Sequence, residues 1–184
     1  MGDRGLRNDS REVRWGILGA GYISHRFASS LKKADGARLV AAAGRTPAHV
    51  EEFCRAFSID AAHGHASVDD NGNAAYDALI ADPDVDAIYL ALPHGMHTRW
   101  ACRALRAGKA VLCEKPAVLS VEEALSIVST SRERGVLFME AMKNRFCPMR
   151  TRVKDLLASG ELGRIVSIES VQTVSYTHLT LPTN

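Results

Sequence analysis

Two groups of residues in this chain could do chemistry. The first is Gly19-Ala20-Gly21-Tyr22-Ile23-Ser24, which fits G-x-G-x-x-[G/A] in its first two glycines. Between a strand and a helix, such a loop binds a pyrophosphate. Gly19 permits the tight turn and Gly21 the close approach of the backbone. The helix opening at Tyr22 and Ile23 offers free N–H groups and the positive end of its dipole. Ser24 stands where a third glycine is usual and slightly widens the helix–strand packing. A tight turn without a ligand has the same pattern; the strand before it and the helix after it are what favour dinucleotide binding. An acid at the end of the second strand would read the ribose 2′-hydroxyl of NAD. This chain has Gly44-Arg45-Thr46 there. No acid repels a 2′-phosphate, Arg45 offers a planar fork for one, and Thr46 a hydroxyl. NADP is therefore expected, with NAD the alternative; the plainer reading of Arg45 is a solvated loop arginine.

The second group is Glu114-Lys115-Pro116, just past a buried strand. A lysine on the carboxyl edge of a parallel sheet can act as a general acid or base, or orient a substrate hydroxyl. Pro116 fixes the backbone and admits a cis bond. An isolated Glu-Lys-Pro is as easily two loop charges. The pairs His63/His65 and His94/His97 have the spacing of metal ligands, but no cysteine or carboxylate stands at suitable spacing, so no metal is expected. His25 is read as packing or capping.

The elements that position these groups alternate. Apolar runs at Val13–Leu18, Arg38–Ala43, Val85–Leu92, Ala110–Cys113 and Val136–Glu140 read as strands. Helical spacing covers Tyr22–Lys33, Pro47–Phe57, Ala74–Ile80, Met96–Ala107, Val121–Arg134 and Arg150–Ala158. Ser120 with Glu123 forms a capping box, and Gly108 and Gly135 close their helices. His63–Asn73 is polar and reads as loop. Continuous apolar strands alternating with helices predict an α/β fold, a doubly wound parallel (Rossmann) sheet over residues 13–146. Arg164–Thr173 alternates like the first strand of a second, α+β domain that begins at Cys147.

Composition is that of an ordinary globular chain of 184 residues, 46% hydrophobic and 24% charged. A net charge of +2 gives no field for nucleic acid or a membrane surface. No stretch approaches the ~18 apolar residues of a membrane span. Residues 1–12 carry charges but no apolar signal core and read as a disordered leader. The four cysteines lie in apolar segments without C-x-x-C spacing, as reduced, buried thiols of a cytoplasmic protein do. The tail Val174–Asn184, VSYTHLTLPTN, resembles over Val174–Thr183 the translation of a transposase mosaic-end sequencing adapter; a native Thr-rich edge strand is the alternative.

GILGAGYIS, AIYLALPHGMH, GKAVLCEKP and FMEAMKNRF, in this order, resemble the glucose–fructose oxidoreductase/inositol dehydrogenase/rhizopine-catabolism (Gfo/Idh/MocA) family from Arg14 to about Ile168. Within it, the chain is most similar to dimeric dihydrodiol dehydrogenases and NADP-dependent D-xylose dehydrogenases. The resemblance implies an NAD(P)-dependent dehydrogenase that moves a hydride between nicotinamide and a sugar, cyclitol or diol. It gives Lys115 the catalytic role, puts Glu114 near the nicotinamide ribose, and has Pro93 and His97 line the nicotinamide side. It sets Arg145 beside the substrate pocket together with Lys143, where close relatives usually carry Trp. It also implies a homo-oligomer formed through a second domain, which would hold a further catalytic Asp with His or Tyr four residues on.

On this reading the chain as given binds cofactor without turning over; a regulatory dinucleotide-binding module is the competing reading. Resequencing the source DNA across the Thr173 codon should find the frame continuing into a domain with that Asp/His or Asp/Tyr pair. A native stop after VSYTHLTLPTN would favour the module.

Overall fold

The computed structural model describes residues 12–68, 72–169 and 171. Among the described residues the five apolar runs and one further segment form six parallel strands: β1 (Val13–Leu18), β2 (Ala37–Gly44), β3 (Gly64–Ala66), β4 (Ala87–Leu90), β5 (Ala110–Cys113) and β6 (Phe138–Glu140). Their order across the sheet is β3-β2-β1-β4-β5-β6. The connecting helices are α1 (Tyr22–Leu31), α2 (Pro47–Phe57), α3 (Asn73–Ala81), α4 (His97–Arg106) and α5 (Val121–Arg134). This is the expected doubly wound Rossmann fold. The chain runs outward from β1 to β3, returns to β4 beside β1, and runs outward again.

Successive strand residues face opposite sides, so each strand feeds two cores. Ile17 and Tyr89 join Ala28, Val50 and Phe53 beneath α1 and α2. Leu18, Ile88 and Leu90 join Leu79, Trp100, Leu105 and Ile127 on the other face. Local signals set the helix ends. Ser120 Oγ accepts a hydrogen bond from the Glu123 N–H at 3.2 Å, while Glu123 Oε2 reaches the Leu119 N–H at 2.7 Å. Gly135 ends α5 in the left-handed conformation, φ 62°. His25 packs, its ring edge-on to Phe53 at 4.7 Å.

Several expectations need correction. The segment read as loop from His63 contains β3, which pairs Ala42 with Gly64 and Gly44 with Ala66. Three residues carry no periodicity; a neighbouring strand supplies what their sequence does not show. The described part of Arg164–Thr173 is not a strand, since alternation alone cannot make one without a partner ladder. Cys54, Cys102 and Cys113 are buried, but Cys147 is exposed at the cap of α6 (Pro148–Ser159); all four are free thiols. Residues 1–11 and 172–184, including most of the leader and the whole Val174–Asn184 tail, lie outside the described residues. The chain divides into two units, residues 1–142 and 143–184. Among the described residues no helix is long and apolar enough to cross a membrane.

The amino edge of the sheet is tied by ions. Arg14 binds Asp84 at 2.6 Å and Asp86 at 3.0 Å, and Lys109 Nζ donates to the carbonyls of Asp82 and Val85. His63, which showed no carboxylate partner in the sequence, receives one from the fold: its Nδ1–H donates to Asp82 at 2.5 Å, and Asp84 lies 3.8 Å from Nε2. The hydrogen bond to Asp82 raises the His63 pKa against a smaller effect of burial, with the charges of Asp82, Asp84 and Asp60 adding to it. Burial pushes Asp82 up, but His63 and the Asp84 N–H outweigh it and leave the carboxyl below its ordinary range. Burial lowers the neighbouring His65.

Both contributions to stability are complete between about pH 4 and about pH 6.5, the ordinary values for the two groups. The His63 part is lost as pH rises through its raised pKa, and the Asp82 part as pH falls through its lowered one. His63→Gln should therefore lower the thermal midpoint more at about pH 6 than at about pH 9. Equal losses at the two pH values would mean that the charged pair adds nothing.

Candidate functional site

Parallel register brings the strand ends level. Leu18 pairs with Ala43 of β2 and Leu90 of β4, Leu90 with Cys113 of β5, and Cys113 with Glu140 of β6. The ladder continues one residue further, where the N–H groups of Gly19, Ala91 and Glu114 donate to Ala43, Leu18 and Leu90 at 2.8–2.9 Å. The glycine loop, the β4 loop and Glu114 thus leave one straight edge. At ~4.8 Å per strand, Glu114 stands about 10 Å from the glycine loop.

A cleft of about 200 Å³ opens at the point where strand order reverses, lined among others by Gly19, Gly21, Arg45, Thr46, His49 and Pro93. The turn at Gly19 has φ +98°, and a Cβ there would lie 2.6 Å from the Ala91 oxygen. At Gly21 a Cβ would meet nothing within 4 Å, so the space before it is open. Ser24, at the third-glycine position, is buried, and its hydroxyl donates to the Gly19 oxygen at 2.5 Å. It fastens the loop to α1 instead of only widening the packing. Tyr22 and Ile23 begin α1 on the exposed side, and their N–H groups have no acceptor within the helix.

Arg45 is exposed at the cleft, and the Thr46 hydroxyl makes no cap bond to α2. Gly72, φ +85°, makes room for the arginine: a Cβ there would lie 2.8 Å from the Tyr76 ring and 2.9 Å from Arg45 Cγ. His49 and Tyr76 also line this side. Neither was found in the sequence, and only the sequence position of His49, in the first turn after Arg45-Thr46, could have drawn notice.

On the β4–β5 side, Lys115 is exposed and joined to Pro116 by a cis peptide bond. The half-buried Glu114 accepts hydrogen bonds from Tyr89 Oη at 2.6 Å and from the Lys115 N–H at 3.1 Å, so it is not a free loop charge. His97 is fully buried and does not surface in the cleft. Its ring nitrogens face two backbone carbonyls, Nδ1 that of Pro116 at 2.9 Å and Nε2 that of Leu92 at 2.8 Å. The histidine sits between the β4 loop and the Glu-Lys-Pro loop, and the ring nitrogen that carries the proton donates to the carbonyl it faces. Glu140 Oε1 holds the same loop by accepting from the Ala117 N–H at 2.9 Å. Buried Cys113 has its thiol pushed up to about 12 by burial and by the charges of Glu140 and Glu114. Lys143 and Arg145 sit in a 3₁₀ turn, Lys143–Phe146, that opens the second unit, and both are exposed there.

Residues 13–142 match a family described as an oxidoreductase family with an NAD-binding Rossmann fold, GFO_IDH_MocA. The chain is 35% identical over 170 residues to the trans-1,2-dihydrobenzene-1,2-diol dehydrogenase of Bos taurus, covering 90% of this chain and 48% of that protein. It is 33% identical to the D-xylose 1-dehydrogenase (NADP(+)) of Hypocrea jecorina, over 83% of this chain and 40% of that one. Among solved structures, KijD10, a 3-ketoreductase from Actinomadura kijaniata in complex with NADP and TDP-benzene, matches with a TM-score of 0.70 at 32% identity, over 82% of this chain and 43% of that one. The chain spans about half the length of the curated relatives it matches.

The two glycines should separate in stability. Gly19→Ala sets a Cβ against backbone at positive φ and should cost about 2 kcal/mol or more. Gly21→Ala points into open space and should cost under about 0.5 kcal/mol. Denaturant unfolding measures both, and equal losses would contradict the loop geometry.

Proposed function

Because the chain belongs to the Gfo/Idh/MocA oxidoreductase family through its NAD-binding Rossmann domain, we propose that this domain binds NADP(H) across the carboxyl edge of its sheet. We propose further that the whole protein interconverts a secondary alcohol and a carbonyl on a sugar, cyclitol or diol. The observation that carries the reading is the open space before Gly21, beside a turn that only glycine fits at Gly19. It leaves room for a pyrophosphate to approach the loop, where the N–H groups of Tyr22 and Ile23 have no acceptor within the helix.

Arg45 and the unspent Thr46 hydroxyl suit the 2′-phosphate that distinguishes NADP from NAD. Across the reversal of strand order, Pro93 and Glu114 border the space left for the second nucleotide half, and His97 holds the two loops there in place. When bound, the cofactor accepts or supplies the hydride. Lys115 is exposed on the same edge and free to meet a substrate oxygen. There it moves a proton, taking it from the hydroxyl in oxidation and returning it to the carbonyl oxygen in reduction. Lys143 and Arg145 are proposed to contribute to substrate selection. The xylose and dihydrodiol dehydrogenases among the relatives support a polyol-like substrate.

Calorimetric titration of the chain with NADPH and NADH tests the cofactor reading. NADPH should bind the more tightly. Arg45→Ala should weaken NADPH about tenfold or more, the worth of charge-assisted bonds to a phosphate, and leave NADH unchanged. Failure of both cofactors to bind would overturn the reading. In the whole protein, Lys115→Ala should cut turnover about 10²–10⁴-fold; a loss below about tenfold would remove Lys115 from the proton transfer.

A further inference from the structure

We propose that Tyr89 is a positioning residue for the β4–β5 half of the cofactor site, acting through the Glu114 carboxylate. The inference rests on the NADP(H) reading above. Tyr89 lies within β4, in an apolar run where a phenylalanine would bury as well. It is 2% exposed, and its ring stacks on Phe27 of α1 with centroids 3.9 Å apart and planes 4° from parallel. A buried phenol needs a partner for its hydroxyl. Here the partner is Glu114 Oε1 at 2.6 Å, a bond between two strands at the edge where ligands bind.

Each carboxylate oxygen of Glu114 is held by a different part of the fold. Oε1 accepts from Tyr89 Oη and Oε2 from the Lys115 N–H. An ionised carboxylate has about four acceptor positions, so two held bonds fix its plane and leave two for donors outside the protein. A vicinal diol, such as a ribose presents, supplies such donors. In a doubly wound sheet one mononucleotide lies on each side of the strand reversal. Arg45 marks the 2′-phosphate side at the end of β2, so the other half of the cofactor falls over β4 and β5, where Glu114 stands.

The Tyr89 ring reaches both sides of the site. It rests on Phe27, in the second turn of the helix that begins at the glycine loop, and its hydroxyl orients Glu114. Burial, then the acceptor Glu114, push the hydroxyl well above its ordinary pKa, so it remains a donor.

The test uses the chain itself and two probes. NADPH spans the whole site; 2′,5′-ADP carries the 2′-phosphate but no nicotinamide ribose. Tyr89→Phe keeps the stacked ring and deletes only the donor. It should weaken NADPH about tenfold, as expected for a hydrogen bond to a charged group, and leave 2′,5′-ADP unchanged. Glu114→Gln, on the edge loop, should weaken NADPH alone as well. The double variant should be no weaker than the worse single one, because the two residues act as a unit. The proposal is overturned if Tyr89→Phe leaves NADPH affinity intact, lowers both probes equally, or adds in full to Glu114→Gln. Binding of 2′,5′-ADP without any of the expected NADPH effects would overturn the role of Tyr89 and leave the cofactor reading standing. Failure of NADPH and NADH alike to bind the unaltered chain would overturn both.

Discussion

The parallel pairing of β1 with β2 on one side and β4 on the other is the constraint on which the rest depends. It aligns Leu18 with Ala43 and Leu90 and so brings three loops to one edge. A slip of one residue would turn every side chain of β1 to the wrong face, exchanging the partners of Ile17 and Leu18. The cleft opens at β1 because crossovers leave it in both directions, and there the adjoining loops diverge instead of covering one another.

The loops on this edge are irregular in sequence and firmly held. Ser24 binds Gly19, Tyr89 binds Glu114, Glu140 binds the Ala117 N–H, and His97 faces two carbonyls. Each bond fixes a loop by a group on a strand or helix, and so satisfies polar groups that burial would otherwise leave costly. A site assembled in this way holds its geometry before any ligand arrives, which lowers the ordering cost of binding.

Much of the fold was legible because its strands are long apolar runs and its helices carry their own stop signals. Pro47 and Phe57 bound α2 as read, and Ser120 and Gly135 frame α5. The glycine loop, Arg45 and the Glu-Lys-Pro turn could be read as candidates, since their chemistry is local. What escaped depends on distant partners. β3 exists only because β2 lies beside it. Asp82 meets His63 across 19 residues of sequence. Tyr89 reads as one more apolar residue of a strand until Glu114, 25 residues later, lies beside its hydroxyl. The resemblance set His97 with Pro93 on the nicotinamide side, but it does not reveal that the ring turns inward; burial decides that.

The inward turn has a mechanical consequence. One rigid imidazole is wedged between the Leu92 and Pro116 carbonyls and rooted at the first residue of α4. The two loops and the start of the helix are therefore coupled as a single lever. Displacing either loop strains the other, so this wall of the cleft resists piecemeal fluttering and yields only as a block, with α4 as its arm.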